Sequence, residues 1–217
     1  MGGAGLKIIG VLEAPHPFFF CCRCTGWYPS PGRAWRGSAV MIFLDPGTLL
    51  IASPGMLDPN FMHTVAMVGH HDGEGAQGLV INRHKPGGMS LAGLEIQEGG
   101  PVGIGQHQLL HASEDFAHCS TLVVDGIWMA QEPGPVLEAL ESGHLSADSM
   151  RLFEGYSGWG AGQLEVELRE KAWLVCEPAP QLVFGELRAA ATWREALRLM
   201  GPAAEGLAHL PPDISWN

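Results

Sequence analysis

Short apolar runs, broken by glycine- and proline-rich stops, set the pattern of this chain. Thr48-Leu49-Leu50-Ile51-Ala52 ends at Ser53-Pro54-Gly55 and predicts a buried strand. Asp58-Pro59 predicts a turn, and Phe61 to Val68 a second apolar segment of strand character. His70-His71-Asp72-Gly73-Glu74-Gly75 is polar and glycine-rich, which predicts a loop. Gly78-Leu79-Val80-Ile81-Asn82 predicts another buried strand. Leu122-Val123-Val124, Asp125-Gly126 and Ile127-Trp128-Met129 predict a hairpin, with Asp-Gly supplying both positive-φ positions of a type I′ turn.

Helices are signalled by end residues. Pro135 opens one, Val136, Leu137, Ala139 and Leu140 give its apolar face, and Gly143 closes it. Thr192 and Glu195 fit a capping box, Trp193, Leu197 and Met200 share a face behind it, and Gly201-Pro202 ends it. A third helix is expected over 163–170, with Leu164 and Leu168 on one side. Trp173-Leu174-Val175 and Leu182-Val183-Phe184 predict strands. Strands and helices mix without strict alternation, which favours α+β over a doubly wound parallel sheet.

Composition narrows the class. At 217 residues, 46% hydrophobic and 16% charged, the chain can build a core and is not intrinsically disordered. No apolar run approaches the ~20 residues that span a bilayer, so no membrane association is expected. The formal net charge is −11, and its distribution is uneven. Residues 1–44 carry four basic groups and one acid; residues 45–217 carry eight basic and twenty-two acidic groups. So acidic a body repels phosphate backbones and argues against nucleic acid as a partner.

Residues 1–44 therefore read as an extension outside the fold, with 45–217 as one domain. The extension is not a secretory signal by its pattern, because Glu13, Pro15, His16 and Pro17 interrupt the apolar stretch after Lys7. An alternative is that Met41 is the true start. Cys21, Cys22 and Cys24 lack the spacing of a zinc or thioredoxin site, and Cys119 and Cys176 stand apart. Free thiols in a reducing cytoplasm fit this usage, and no metal or cofactor is expected.

Three segments could carry chemistry. His70-His71-Asp72 with Glu74 offers imidazoles and carboxylates, but adjacent side chains on an extended chain point to opposite faces. A single structural histidine is the simpler reading. Gly99-Gly100-Pro101-Val102-Gly103-Ile104-Gly105 lacks the Gly-Lys-Ser/Thr end of a phosphate loop and reads as a tight turn. Gly155-Tyr156-Ser157-Gly158-Trp159 does not place Ser157 in a nucleophile elbow. Its glycines beside large rings predict close backbone packing or a ligand groove, followed by a helix start carrying Glu165 and Glu167. These two carboxylates do not share a helix face. His63, His107, His111 and His118 read as structural, and Ser113, Glu114 and Asp115 as a cap or turn.

Taken in order, five blocks resemble the UPF0301 (YqgE/AlgH) family. They are Gly47-Thr48-Leu49-Leu50-Ile51-Ala52-Ser53-Pro54-Gly55-Met56-Leu57-Asp58-Pro59-Asn60-Phe61; His71 with Gly75-Ala76-Gln77-Gly78-Leu79-Val80-Ile81-Asn82-Arg83; Gly99-Gly100-Pro101-Val102; Leu110-His111; and Gly155-Tyr156-Ser157-Gly158-Trp159 with Gln163-Leu164-Glu165 and then Trp173. The similarity covers roughly residues 45–202. Two positions depart from the family pattern: His70 stands where a Glu usually precedes the His, and the Pro after Asn-Arg is displaced to Pro86. The resemblance implies an α+β fold, a single compact domain whose branched mixed sheet partly closes into a small barrel with helices around it. It implies no reaction.

Three functions follow. The first is a non-enzymatic binding or regulatory protein with a protein or small-molecule partner, using groove candidates His71, Asn82, Arg83, Tyr156, Trp159, Gln163 and Glu165. The second is a small hydrolase-like enzyme using His71 with Asp72 or Glu165. The third, a DNA-binding regulator, requires a basic patch from Arg83, Lys85, Arg194 and Arg198.

Overall fold

The computed structural model describes residues 43–85, 87, 89–185 and 189–209. The N-terminal segment 1–42, and with it most of the expected extension, lies outside the described residues. Phe43 and Leu44 lie inside them, and Leu44 is buried against the sheet.

β1 (Leu49–Ala52) has no exposed side chain. Leu49 and Ile51 enter one apolar cluster while Leu50 and Ala52 enter another on the opposite face, which is why the run is continuously apolar rather than alternating. Among the described residues the sheet has ten strands. The remaining strands are β2 (Val65–Asp72), β3 (Gly75–Val80), β4 (Ser90–Leu91), β5 (Leu94–Glu98), β6 (Val102–His111), β7 (Ser120–Val124), β8 (Ile127–Ala130), β9 (Met150–Gly160) and β10 (Trp173–Cys176). Eight of the ten follow the order β10-β1-β2-β3-β9-β6-β8-β7, with β4 and β5 off that path.

The sheet branches at β9. Its first half pairs β5 in parallel and its second half pairs β3 antiparallel, while β6 runs along its other edge. The sheet also curls. A Cβ on Gly47, just before β1, would lie 2.7 Å from Val124 at the end of β7, although the two belong to opposite ends of the strand order. The curl wraps the largest cluster, which joins Leu49, Met67, Leu110, Ile127 and Phe153 to Trp193 and Leu197. This is the expected α+β fold with a partly closed barrel.

Among the described residues five α-helices cover the sheet: α1 (Pro133–Glu141), α2 (Gln163–Arg169), α3 (Pro180–Phe184), α4 (Ala189–Leu199) and α5 (Pro202–Glu205). α2 covers the outer face through Leu164. α4 seals the inner cluster with Trp193, Ala196 and Leu197. No helix among the described residues is long and apolar enough to cross a membrane.

Several local expectations are corrected. His70, His71 and Asp72 belong to strand β2, and only Gly73-Glu74 turns. Gly155–Gly160 lies in strand β9, and the close backbone packing expected there is present: a Cβ on Gly155 would meet Gly100 O at 2.6 Å. Val102–Gly105 opens β6 through an irregular register rather than forming a turn. Leu182–Phe184 is helical, opened by Pro180 and closed by Arg151, which donates to the Gly185 carbonyl at 2.7 Å. Thr192 lies inside α4 and is buried, so it is no N-cap. The Asp125-Gly126 hairpin forms, but of the pair only Gly126 takes positive φ (81°), so the turn is not type I′.

Candidate functional site

The candidate site grows from one row across three strands. His71 on β2 is opposite Ala76 on β3, and Ala76 is opposite Trp159 on β9. Directly paired residues of antiparallel strands share a face, so His71 and Trp159 look out from the same side of the sheet. Helix α2 lies over that side. Gly162 takes the left-handed conformation just before it (φ 74°), and Gln163 accepts from the Gly160 amide at 3.1 Å, which brings α2 tightly back over β9.

Two carboxylates of α2 then reach different residues, as their spacing of two requires. Glu165 Oε1 stands 3.3 Å from His71 Nε2, close but without hydrogen-bond geometry. Glu167 takes three donors. Its Oε2 accepts from Trp159 Nε1 at 2.9 Å and from Trp173 Nε1 at 2.7 Å, and its Oε1 accepts from Gln163 Nε2 at 2.8 Å. The two indoles meet edge to face at 5.9 Å, and Phe61 stacks on Trp159 at 6.0 Å. Trp159 is 4% exposed.

His71 is fixed on its other side. The backbone N–H of Leu44 donates to His71 Nδ1 at 3.0 Å, within the buried interior. That bond assigns the lone pair to Nδ1 and the proton of the neutral ring to Nε2, facing Glu165. Phe43 meets the imidazole edge to face at 5.4 Å.

The other sequence candidates fall elsewhere. Asp72 points to the opposite face from His71 and holds His70 at 2.8 Å; the His70 side-chain bond, with the Glu74 amide, lowers its carboxyl pKa. Asn82 is fully buried, where Oδ1 accepts from the Val65 amide at 2.9 Å and Nδ2 donates to the His63 carbonyl at 2.9 Å. Arg83 donates to the carbonyls of Asn60 at 2.7 Å and Pro59 at 2.8 Å. Both residues brace the 58–64 turn rather than join the α2 site. Tyr156 packs against the inner cluster, beside Gln77 and Gln108 in a narrow gap at the barrel interior. Four of the seven groove candidates (His71, Trp159, Gln163 and Glu165) thus come together.

Sequence reasoning missed Glu167 as the centre of this arrangement. The available signal was its spacing after Trp159 and before Trp173, two aromatic residues that each carry one N–H. It also missed a separate polar cleft of about 290 Å³ beside β5 and the start of β9, lined by Glu95, Gln97, Asp148 and Arg151 among others. Burial lowers the pKa of Arg151 there. Among the described residues, no cluster of three His, Cys, Asp or Glu side chains is placed to hold a metal ion.

Comparison with known proteins shows the family and the fold. A family model described as AlgH-like matches residues 49–205. A UPF0301 protein of Chlorobium chlorochromatii is 32% identical over 181 residues, covering 80% of this chain and 96% of its own. A UPF0301 protein of Pseudomonas paraeruginosa is 40% identical over 152 residues, covering 62% and 78%. The solution structure of the AlgH protein from Pseudomonas aeruginosa is 31% identical, covers 82% of this chain and 99% of its own, and superposes with a TM-score of 0.56. A crystal structure of a Corynebacterium diphtheriae protein shares the fold at a TM-score of 0.65 with 18% identity, over 77% of this chain and 93% of that one.

Proposed function

The chain belongs to the AlgH-like family, and we propose that it is a non-enzymatic binding or regulatory protein of the cytoplasm. It acts through a protein or small-molecule partner that meets the outer surface of α2. The observation that carries this reading is the mutual engagement of the polar groups beneath that surface. Glu167 is occupied by Trp159, Trp173 and Gln163, and the Nδ1 lone pair of His71 is taken by the Leu44 amide. Such a set makes a rigid platform; a general base needs a lone pair within reach of substrate. Around it, Phe43 and Val166 are exposed apolar side chains. Free Cys119 and Cys176 are in keeping with a reducing compartment.

The hydrolase-like alternative keeps only one of its two pairings. His71 and Asp72 face opposite sides of β2, whereas Glu165 stands 3.3 Å from His71, and the His71 side chain is wholly buried. The DNA-binding alternative is weakened by the basic residues it needs. Arg83 is 3.7 Å from Glu98, Lys85 pairs with Glu154, and Arg198 is 3.1 Å from Glu195.

Photo-crosslinking tests the proposal. A benzophenone side chain at position 166 should capture a discrete partner in the source cells, while one at the exposed position Leu122 on β7 should not. Equal capture at both positions, or none at 166, overturns it.

A further inference from the structure

We infer that the polar cleft beside β5 and the start of β9 is a binding site for a small zwitterion of the free α-amino acid type. His71, Trp159, Gln163 and Glu165 do not line it, so the inference stands whatever meets α2.

Two side chains that line the cleft have hydrogen-bonding capacity that the protein leaves unused. Gln97 is 5% exposed, and among the described residues nothing donates to its Oε1. Arg151 Nε likewise finds no acceptor. Buried polar atoms are nearly always paired. Among the described residues six such side-chain atoms lack a partner, and two of the six belong to this one cleft. They are of opposite kind, one calling for a donor and the other for an acceptor. They also spring from one face of the sheet. Gln97 is paired with Phe153 across the parallel register, and Arg151 precedes Phe153 by two residues. The amide of Gln97 turns about its last torsion, a broad one, and so can face an occupant.

Charge selects the occupant. The Arg151 guanidinium is held by carbonyls: Nη1 donates to that of Met150 at 2.6 Å and Nη2 to that of Gly185 at 2.7 Å, with Phe184 also accepting. Among the described residues no carboxylate is hydrogen-bonded to it, so a half-buried cation is short of counter-charge. Burial lowers its pKa, and the Asp148 charge opposes in part. Asp148 and Glu95 are exposed at the rim, Glu95 Oε1 standing 3.2 Å from His84 Nδ1. A simple anion meets repulsion from these two carboxylates. A simple cation leaves Arg151 Nε unmet and lies against a like charge. A molecule with ammonium and carboxylate on one carbon answers both needs. Its carboxylate accepts from Arg151 Nε, and its ammonium donates to Gln97 Oε1 with the rim carboxylates near. The cleft holds about 290 Å³. Sites for drug-sized ligands run from roughly 300 to 1,000 Å³, so this one suits a smaller molecule.

Nuclear magnetic resonance on the full chain tests the site, with the protein amino acids added one at a time. At least one should move the Gln97 side-chain amide and Arg151 Nε–H signals saturably by about 10 mM, the weak end of specific binding. Its N-acetyl and its carboxamide derivatives should each bind about ten-fold or more weakly, since each loses one charged partner. Gln97→Leu removes the unmet acceptor at similar size. It should weaken binding about ten-fold while leaving the thermal midpoint unchanged or higher. Glu95→Gln, at an exposed position, should weaken binding about two-fold. Stationary Gln97 and Arg151 signals with every amino acid overturn the site. So do blocked derivatives that bind as well as the free amino acid. A Gln97→Leu chain that binds normally, or that melts earlier because the amide is structural, overturns it too.

Discussion

Trp159 Nε1 donates to Glu167 Oε2 at 2.9 Å, and this bond ties the end of β9 to the helix that covers it. The same oxygen receives Trp173 from β10. One carboxylate therefore joins two strands that are not neighbours in the sheet. Glu167→Ala should strand both indole donors and destabilise the fold by about 2–4 kcal/mol, the cost of leaving two largely buried N–H groups without partners. Glu167→Gln keeps an acceptor and should lose only about 1 kcal/mol. Urea unfolding followed by tryptophan fluorescence measures both. Equal losses would mean that the charge, not the acceptor, holds the pair.

Asn82 separates a structural role from a ligand role. Its amide satisfies the Val65 N–H and the His63 carbonyl in a fully buried position. Asn82→Ala should cost about 2–4 kcal/mol and leave partner capture at position 166 intact once temperature is lowered to restore folding. A stable variant that has lost the partner would reassign Asn82 to the binding surface.

Two glycines of the 99–105 segment should respond differently. A Cβ on Gly100 would sit 2.2 Å from the Tyr156 backbone, whereas nothing lies within 4 Å of one on Gly105. Gly100→Ala should cost more than about 3 kcal/mol or prevent folding, because two backbones must part. Gly105→Ala meets only the penalty of positive φ (91°), on the order of 1–2 kcal/mol. Comparable thermal midpoints for the two variants would contradict the close approach of β6 and β9.

Acid should weaken the fold through His111. Its side chain is fully buried, Nε2 lies 2.7 Å from Ser120 Oγ, and burial lowers its pKa, with the Ser113 backbone opposing in part. In the unfolded chain the same residue takes up its proton near pH ~6.5. The unfolded state then binds more protons, so this contribution is complete above that pH and is lost as pH falls towards the folded value. Urea midpoints measured from pH 7.5 to 5.0 should decline. His111→Gln should flatten the slope without abolishing it, since burial also lowers His63 and His107. An unchanged slope would exclude His111 as its source.

Much of the architecture was legible because local and tertiary signals agreed. The run Leu49–Ala52 and the helix ends at Gly143 and Gln163 lie where pattern and end residues place them, and the strand expected over 78–82 is present, shifted to Gly75–Val80. The failures fell where tertiary packing overrode local chemistry. Glycines of 155–160 pointed to close packing or a groove but not to a strand, yet they lie in β9, where the backbone of Gly100 and Val102 comes close to Gly155. Thr192-x-x-Glu195 has the composition of a helix start, yet α4 already runs through it, held by Trp193 Nε1 donating to Ala52 O at 2.8 Å. The site was half legible for the same reason. Residue types pointed to His71, Trp159 and Glu165, but only the register shows that His71 and Trp159 share a row, and only the fold of α2 brings Glu167 beneath two indoles.

The branch at β9 also dictates a timetable. β3, β5 and β6 are all made before β9, and each of them pairs with it. During synthesis these earlier strands must wait, with an edge unfilled, until residues 150–160 emerge. Folding governed by such distant pairings is slow, and waiting edges invite association with other chains. For a nascent copy of this protein, three of those edges are filled when its eleven-residue central strand arrives, and the edge of β1 waits longer still, for β10.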